Sequence, residues 1–315
     1  MNAAKRPLMI GLVNNMGISS MASAKMQFTD LLSATGYATE LVCFTMRSPD
    51  DRVQDHFPID AIMDYPVDAI IVTGMEVTTS NLQDEWLWQS FTRLHDWTER
   101  TALPAIWSCL AAHAAVLHRD GITRQPLGAK LSGVFNCYSS SQAHRLTNGL
   151  PGHWPCPHSR YNSLSSGALA ACGYTIISHG NDIGADIFMH EDNPTTFYFH
   201  GHPEYKAETL LQEFLRDMRR YINGDTPTCP AVPTSYLNAT SEAGFLTLQA
   251  QALKGQNVMP ALRSLAGEVI FQQSWSSVAT KLYANWLGIV AEHVSCKPAW
   301  VAPLDHTAPA GAALS

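Results

Sequence analysis

The sequence predicts an α/β protein: a mostly parallel open sheet flanked by helices, with a helical extension at its C-terminal end. Two observations carry that expectation. Between Leu8 and His118, short apolar runs of strand length alternate with stretches of helical spacing, the pattern of a parallel sheet covered on both faces. From Lys130 onward the segments become shorter and more β-like, so the far side of the sheet is expected to be partly antiparallel.

Each element has its own signal. Leu8 to Asn14 is an apolar run bounded by Pro7 and the Asn14-Asn15 turn signal, which predicts a buried strand. Met21 to Leu32 carries apolar residues at helical spacing (Met21, Ala24, Phe28, Leu31, Leu32). Thr39 to Thr45 reads as a second strand. Asp68-Ala-Ile-Ile-Val-Thr-Gly74 is the clearest buried parallel strand. Asp84 to Arg100 predicts an amphipathic helix with Trp86, Leu87, Phe91, Leu94 and Trp97 on its apolar side. Ala105 to Ser108 is a strand running into Cys109, and Leu110 to His118 the helix that follows. Four further strands are expected at Leu131 to Tyr138, Tyr174 to Ser178, Ile187 to His190 and Thr196 to Phe199. Helices follow at Ala207 to Ile222 and Ser277 to His293, with a Pro- and Thr-rich loop from Gly224 to Pro233. Residues 1–225 are expected to form the main domain and 226–295 a linker and helical extension packed on it. Residues 296–315 read as a flexible tail.

Composition narrows the function. The chain has 315 residues, 46% hydrophobic and 15% charged, with a formal net charge of −7. That balance is globular and gives no electrostatic footprint for nucleic acid. Seven cysteines at irregular spacings, with no Cys-x-x-Cys pair, read as reduced thiols. No apolar stretch approaches the roughly 18–20 residues of a membrane span, and a cytoplasmic protein is expected. The thirteen histidines show no zinc-site spacing, so no metal is expected.

The chemistry centres on two segments. In Pro104-Ala-Ile-Trp-Ser-Cys-Leu-Ala-Ala-His113 an apolar run passes through a Ser-Cys step into an Ala-rich stretch. A thiol there stands at a strand-to-helix bend, where the helix dipole favours its thiolate. In Phe199-His-Gly-His-Pro-Glu-Tyr205, His202 and Glu204 are spaced so that an imidazole could take the thiol proton while a carboxylate holds the ring. Taken alone, Cys109 reads as a small buried hydrophobe; the context makes it a candidate nucleophile. Ligands in an open parallel sheet bind beyond the strand ends, so Gly74 and Cys109, each following a strand, are expected to face the same crevice.

Several stretches together resemble the homoserine O-acyltransferases, a methionine-biosynthesis family best known as homoserine O-succinyltransferase. They are Asp68 to Gly74, Lys130-Leu-Ser-Gly-Val134, Pro157-His-Ser-Arg-Tyr161, Gly201-His-Pro-Glu-Tyr205, Glu213-Phe-Leu-Arg-Asp217 and Ala284-Asn-Trp-Leu287. The resemblance implies a class I glutamine amidotransferase-like (flavodoxin-like) fold and a homodimer. It also implies a ping-pong reaction with acyl-CoA as co-substrate, a hydroxy amino acid as acceptor and no bound cofactor. Carried over, Cys109 is the nucleophile, His202 the general base and Glu204 its orienting partner. Arg160 and Arg216 bind the amino-acid carboxylate, and Lys130 and Ser159 line the pocket. The backbone of Leu110, with that of Met75 or Glu76, forms the oxyanion hole. Thr78 falls at the position that distinguishes succinyl from acetyl donors.

This chain departs from the family pattern around the pocket. Leu110 stands where the family has Trp, Asn14-Asn-Met-Gly17 replaces Asn-Leu-Met-Pro, and Thr78 is neither the Gly nor the Glu usual there. Donor (succinyl or acetyl) and acceptor (homoserine, serine or a related hydroxy amino acid) therefore stay open. The competing expectation is a glutamine amidotransferase with the same Cys-His-Glu set. Those enzymes carry a glycine two residues after the cysteine, where this chain has Ala111.

Overall fold

The computed structural model describes residues 6–48, 51, 53–75, 77–140, 144–271 and 273–296. Among them ten strands form one sheet: β1 (Leu8–Val13), β2 (Thr39–Thr45), β3 (Phe57–Pro58), β4 (Ala69–Val72), β5 (Ala105–Ser108), β6 (Gln125–Ser139), β7 (His153–Ser163), β8 (Tyr174–Gly180), β9 (Gly184–His190) and β10 (Thr196–Phe199). Their order is β3-β2-β1-β4-β5-β10-β9-β8-β6-β7. From β3 to β10 every junction is parallel; from β10 to β7 every junction is antiparallel. The parallel sheet with an antiparallel far side is the one expected from sequence.

Eight α-helices occur among the described residues: α1 (Ile18–Ala34), α2 (Trp88–Thr101), α3 (Leu110–Asp120), α4 (Ser166–Ala171), α5 (Thr209–Ile222), α6 (Ala239–Ala252), α7 (Met259–Gly267) and α8 (Ser276–Cys296). The period-2 alternation of strand side chains sorts the core into two layers. Ile70, Val72, Trp107 and Tyr198 pack with Phe91 and Leu94 of α2 and Ala112 and Ala115 of α3. Their neighbours Ile71, Ile106, Phe197 and Phe199 point the other way, onto Phe28 and Leu32 of α1 and Tyr283 and Trp286 of α8. A strand with apolar residues on both faces has no polar side to show, which is why these runs are continuously hydrophobic. A smaller third cluster joins Phe214 and Met218 of α5 to Phe245 of α6 and Leu262 of α7. No helix among the described residues is long and apolar enough to cross a membrane.

Five strands and α-helices lie outside the sequence expectation: β3, β7, α4, α6 and α7. β7 contains Pro155 and Pro157, which argue against a central strand; it is tolerated because β7 ends the sheet order. α6 and α7 were not expected, because α6 spreads Phe245, Leu246 and Leu248 around the helix instead of along one face. Residues 297–315, most of the expected tail, lie outside the described residues.

Two features place the site. Asn15, almost fully buried, donates its backbone N–H to Thr73 Oγ1 at 2.9 Å and accepts from the Met46 N–H at 3.2 Å, tying together the C-terminal ends of β1, β4 and β2. The antiparallel end of the sheet also curls back over β10, where the His202 N–H donates to the Pro157 carbonyl at 2.8 Å. A strand at the far end of the sheet order thus borders the crevice beyond the strand ends.

Candidate active site

Cys109 caps α3 with φ 52° and ψ −113°, a conformation unfavourable for a residue with a Cβ. Such strain costs on the order of 1–3 kcal/mol and persists only where the surroundings enforce it. Here the Cys109 N–H donates to the Phe199 carbonyl at 2.6 Å, while its own carbonyl accepts from Ala112 and His113 in the first turn of α3. The bend leaves the thiol partly exposed at the helix N-terminus. Gly74 closes the opposite wall: a Cβ there would stand 3.4 Å from the Leu110 nitrogen and 3.7 Å from the Cys109 Cβ. The missing side chain keeps space above the first N–H groups of α3, where an oxyanion needs its donors. Met75 follows at the loop start, half-buried against the core; Glu76 lies outside the described residues.

His202 and Glu204 come to Cys109 from the loop after β10. His202 Nδ1 bonds Glu204 Oε1 at 2.8 Å, which leaves Nε2 to serve the thiol. Burial disfavours the Cys109 thiolate, but the neighbouring His202 charge and hydrogen bond, helped by Arg160, outweigh it and lower the thiol pKa. Burial likewise disfavours the imidazolium, but Glu204 and the thiolate hold the His202 pKa well above its ordinary value. Each group thus favours the charged form of the other, thiolate beside imidazolium. Tyr205 stacks on the His202 ring at 4.3 Å, and its carbonyl accepts from Trp275 Nε1 and Gln273 Nε2, each at 2.9 Å. The segment before α8 thereby braces the loop that carries His202 and Glu204.

Beside this centre lies a charged cluster. Lys130 Nζ bonds Asp217 Oδ2 at 2.7 Å and stands 3.5 Å from Glu213. Ser159 Oγ donates to Glu213, which also accepts from the Tyr205 hydroxyl at 2.9 Å. Glu213 thus connects the cluster to the ring stacked on His202. Arg216 bonds Asp217 Oδ1 through both Nε at 3.0 Å and Nη2 at 2.9 Å, yet keeps 42% of its side chain exposed, which leaves Nη1 to face a ligand.

Two expected roles change. Arg160 is not offered to a carboxylate: it is 4% exposed, and its guanidinium donates to the backbone carbonyls of Asn162 and Ile183. Its charge acts on the Cys109 thiolate from inside the protein. Thr78 does not present its hydroxyl to the pocket either. Its N–H and Oγ1 donate to the Glu85 carboxylate at 2.7 and 2.9 Å, and Thr79 adds two more donors. Burial would raise the Glu85 pKa, but these four bonds lower it, so a buried carboxylate anchors the loop beside the oxyanion wall.

Glu213, Tyr205 and Glu85 were not singled out from sequence. Glu213 and Asp217 were findable, since a spacing of four on a helix places two carboxylates on one face. Glu85 carries no such signal. No metal-ligand grouping among the described residues includes Cys109; the two that occur are Cys137, Cys156, His158 and Asp186, and His95, Asp96 and His118.

The fold is shared with proteins of other names. A crystal structure of a glutamine amidotransferase from Thermotoga maritima matches with a TM-score of 0.53 at 8% identity, covering 90% of this chain and 98% of that one. One from Methylobacillus flagellatus matches with a TM-score of 0.51 at 14% identity, covering 90% and 94%. These likenesses establish the amidotransferase-like fold alone. Sequence decides the family. The model of the homoserine O-succinyltransferase family matches residues 1–296. The chain belongs to that family. Proteins named homoserine O-succinyltransferase from Rhodopseudomonas palustris and Methylorubrum extorquens are 37% and 34% identical to it, over 91% and 92% of this chain and 89% of each relative. Membership makes the chain an enzyme of the amino-acid O-acyltransferase class and separates it from the amidotransferases whose fold it shares.

Proposed function

We propose that the protein moves an acyl group, succinyl or acetyl, from acyl-CoA through a Cys109 thioester to the side-chain hydroxyl of homoserine, serine or a related hydroxy amino acid. The observation that carries this reading is the strained bend that sets Cys109 beside His202, where each group favours the other's charged form, with Glu204 behind the ring. The Cys109 thiolate adds to the thioester carbonyl, and the developing oxyanion faces the Leu110 N–H and the loop after Gly74. Collapse expels the CoA thiolate, which takes the His202 proton. This leaves an acyl-cysteine and a neutral imidazole, since the negative sulfur that held the ring charged is gone. His202 then removes the hydroxyl proton of the acceptor as its oxygen adds to the thioester. Collapse returns the Cys109 thiolate, and the ring keeps the proton it took.

The neighbouring cluster suits an amino-acid zwitterion. Arg216 offers the exposed end of its guanidinium to a carboxylate, and Glu213 and Asp217 offer negative charge to an ammonium. Arg216→Ala is expected to raise the acceptor KM about 50-fold, in keeping with the ~2–3 kcal/mol of a lost charge-assisted contact, while the acyl-CoA KM stays within about twofold. Initial rates with each substrate varied in turn check this; an effect confined to acyl-CoA places Arg216 at the donor instead. Incubation with glutamine separates the amidotransferase alternative, for which glutamate release without turnover of any acyl-CoA is the diagnostic result.

A further inference from the structure

Beneath the catalytic loop lies a second cluster that the transfer chemistry does not use. Cys137 on β6, Cys156 and His158 on β7 and Asp186 on β9 are all buried, and their donor atoms lie within 4.8 Å of one another. His158 Nε2 stands 3.3 Å from Asp186 Oδ1 and 4.0 Å from Cys137 Sγ. Zinc bonds of ~2.0–2.3 Å at tetrahedral angles give donor–donor edges of about 3.3–3.8 Å, so the His158–Asp186 edge already fits and the widest edges would contract by about an ångström. Asp186 already has one oxygen oriented from behind: Oδ2 accepts from Ser178 Oγ at 2.7 Å, and Oδ1 is buried with no hydrogen-bond donor.

The fourth wall of the cluster is a glycine. A Cβ at Gly201 would stand 2.5 Å from Cys156 Sγ, 2.7 Å from Asp186 Oδ1 and 3.0 Å from His158 Nε2. Only a residue without a side chain leaves that face of the donor set open. A disulfide is a poor alternative, because the β6–β7 register pairs Cys137 with Trp154 and Cys156 with Phe135. The two cysteines are diagonal neighbours, typically about 7–8 Å apart along such a ladder, beyond the usual reach of a bridge.

We propose that Cys137, Cys156, His158 and Asp186 form a closed, structural site for one zinc(II) ion, which pins the loop carrying the general base. Two thiols, an imidazole and a carboxylate suit a borderline-soft tetrahedral ion, and with four protein ligands no position is open for chemistry. Binding releases the two thiol protons, and His158 coordinates as the neutral ring through Nε2. Two thiolates and a carboxylate around a divalent ion leave one negative charge. The buried Arg160 guanidinium, which interacts with Asp186 and Cys137, supplies the compensating positive charge. The link to catalysis is short. Pro157 lies between the ligands Cys156 and His158, and its carbonyl accepts the His202 N–H at 2.8 Å.

Metal analysis of the purified full-length chain tests this directly. One equivalent of zinc is expected, falling at least tenfold in the Cys137→Ser/Cys156→Ser double variant. Because that variant could fail to fold, cobalt substitution of the wild type gives a second reading. Thiolate-to-cobalt charge transfer with intense tetrahedral visible bands is expected. Gly201→Ala, which keeps all four ligands, is expected to weaken retention of the ion against a chelator by at least tenfold. Wild-type protein without zinc that also shows no thiolate charge transfer with cobalt overturns the proposal. So does zinc retained in a folded double variant, or a Cys137–Cys156 disulfide found by peptide mapping.

Discussion

Replacing His202 by glutamine is expected to lower kcat/KM about 10⁴-fold and to raise the pKa of the Cys109 thiol in the same variant. Both effects have one origin. The His202 charge and its hydrogen bond are the groups that chiefly lower the thiol pKa; without them burial remains, and burial alone favours the neutral thiol. In the wild type, alkylation of Cys109 should therefore half-titrate below the ~8.5 of a free cysteine. In His202→Gln it should do so above that value. Thiolate reactivity is lost as pH falls through the lowered pKa, so the acid limb belongs to the pair. Iodoacetamide rates against pH, with modification mapped to Cys109, provide the measurement. An unchanged profile in the variant would show that the imidazole does not set the state of the thiol.

Gly133→Ala is expected to cost about 3 kcal/mol of stability, and roughly 6–12 °C in Tm, without touching a catalytic side chain. Gly133 sits at φ +152° in mid-strand, and a Cβ there would come within 2.7 Å of the Thr234 nitrogen and closer still to its carbonyl oxygen. Thr234 cannot step back, because its N–H donates to the Ser132 carbonyl and its own carbonyl accepts from Val134, both at 2.9 Å. The substitution would push the 230s segment off β6 and disturb Lys130, four residues from the Val134 contact. Thermal unfolding with the activity assay checks this; a Tm within 2 °C of wild type would show that the crossing yields more easily than its hydrogen bonds suggest.

The parallel half of the sheet was legible because Ile70 to Val72 and Ala105 to Trp107 are apolar on both faces, and such runs have few other places to go. The bend at Cys109 was legible for a different reason: a polar step between a buried strand and a small-residue helix leaves few conformations for the thiol. Arg160 and Thr78 misled because each stands at the right place along the chain but turns to partners distant in sequence, Ile183 and Glu85. The Cys137–Asp186 cluster was hidden for the same reason. Its ligands come from three strands that meet only because the antiparallel end of the sheet curls over β10, and no spacing along the chain records that curl.

Intact-protein mass spectrometry after mixing with succinyl-CoA and acetyl-CoA in separate reactions tests the Cys109 thioester most directly. One acyl group per chain is expected on the wild type, mapped to Cys109, discharged by homoserine or serine and absent from Cys109→Ala. An adduct of equal yield in Cys109→Ala, or turnover of acyl-CoA and acceptor with no acyl group ever on Cys109, would contradict it.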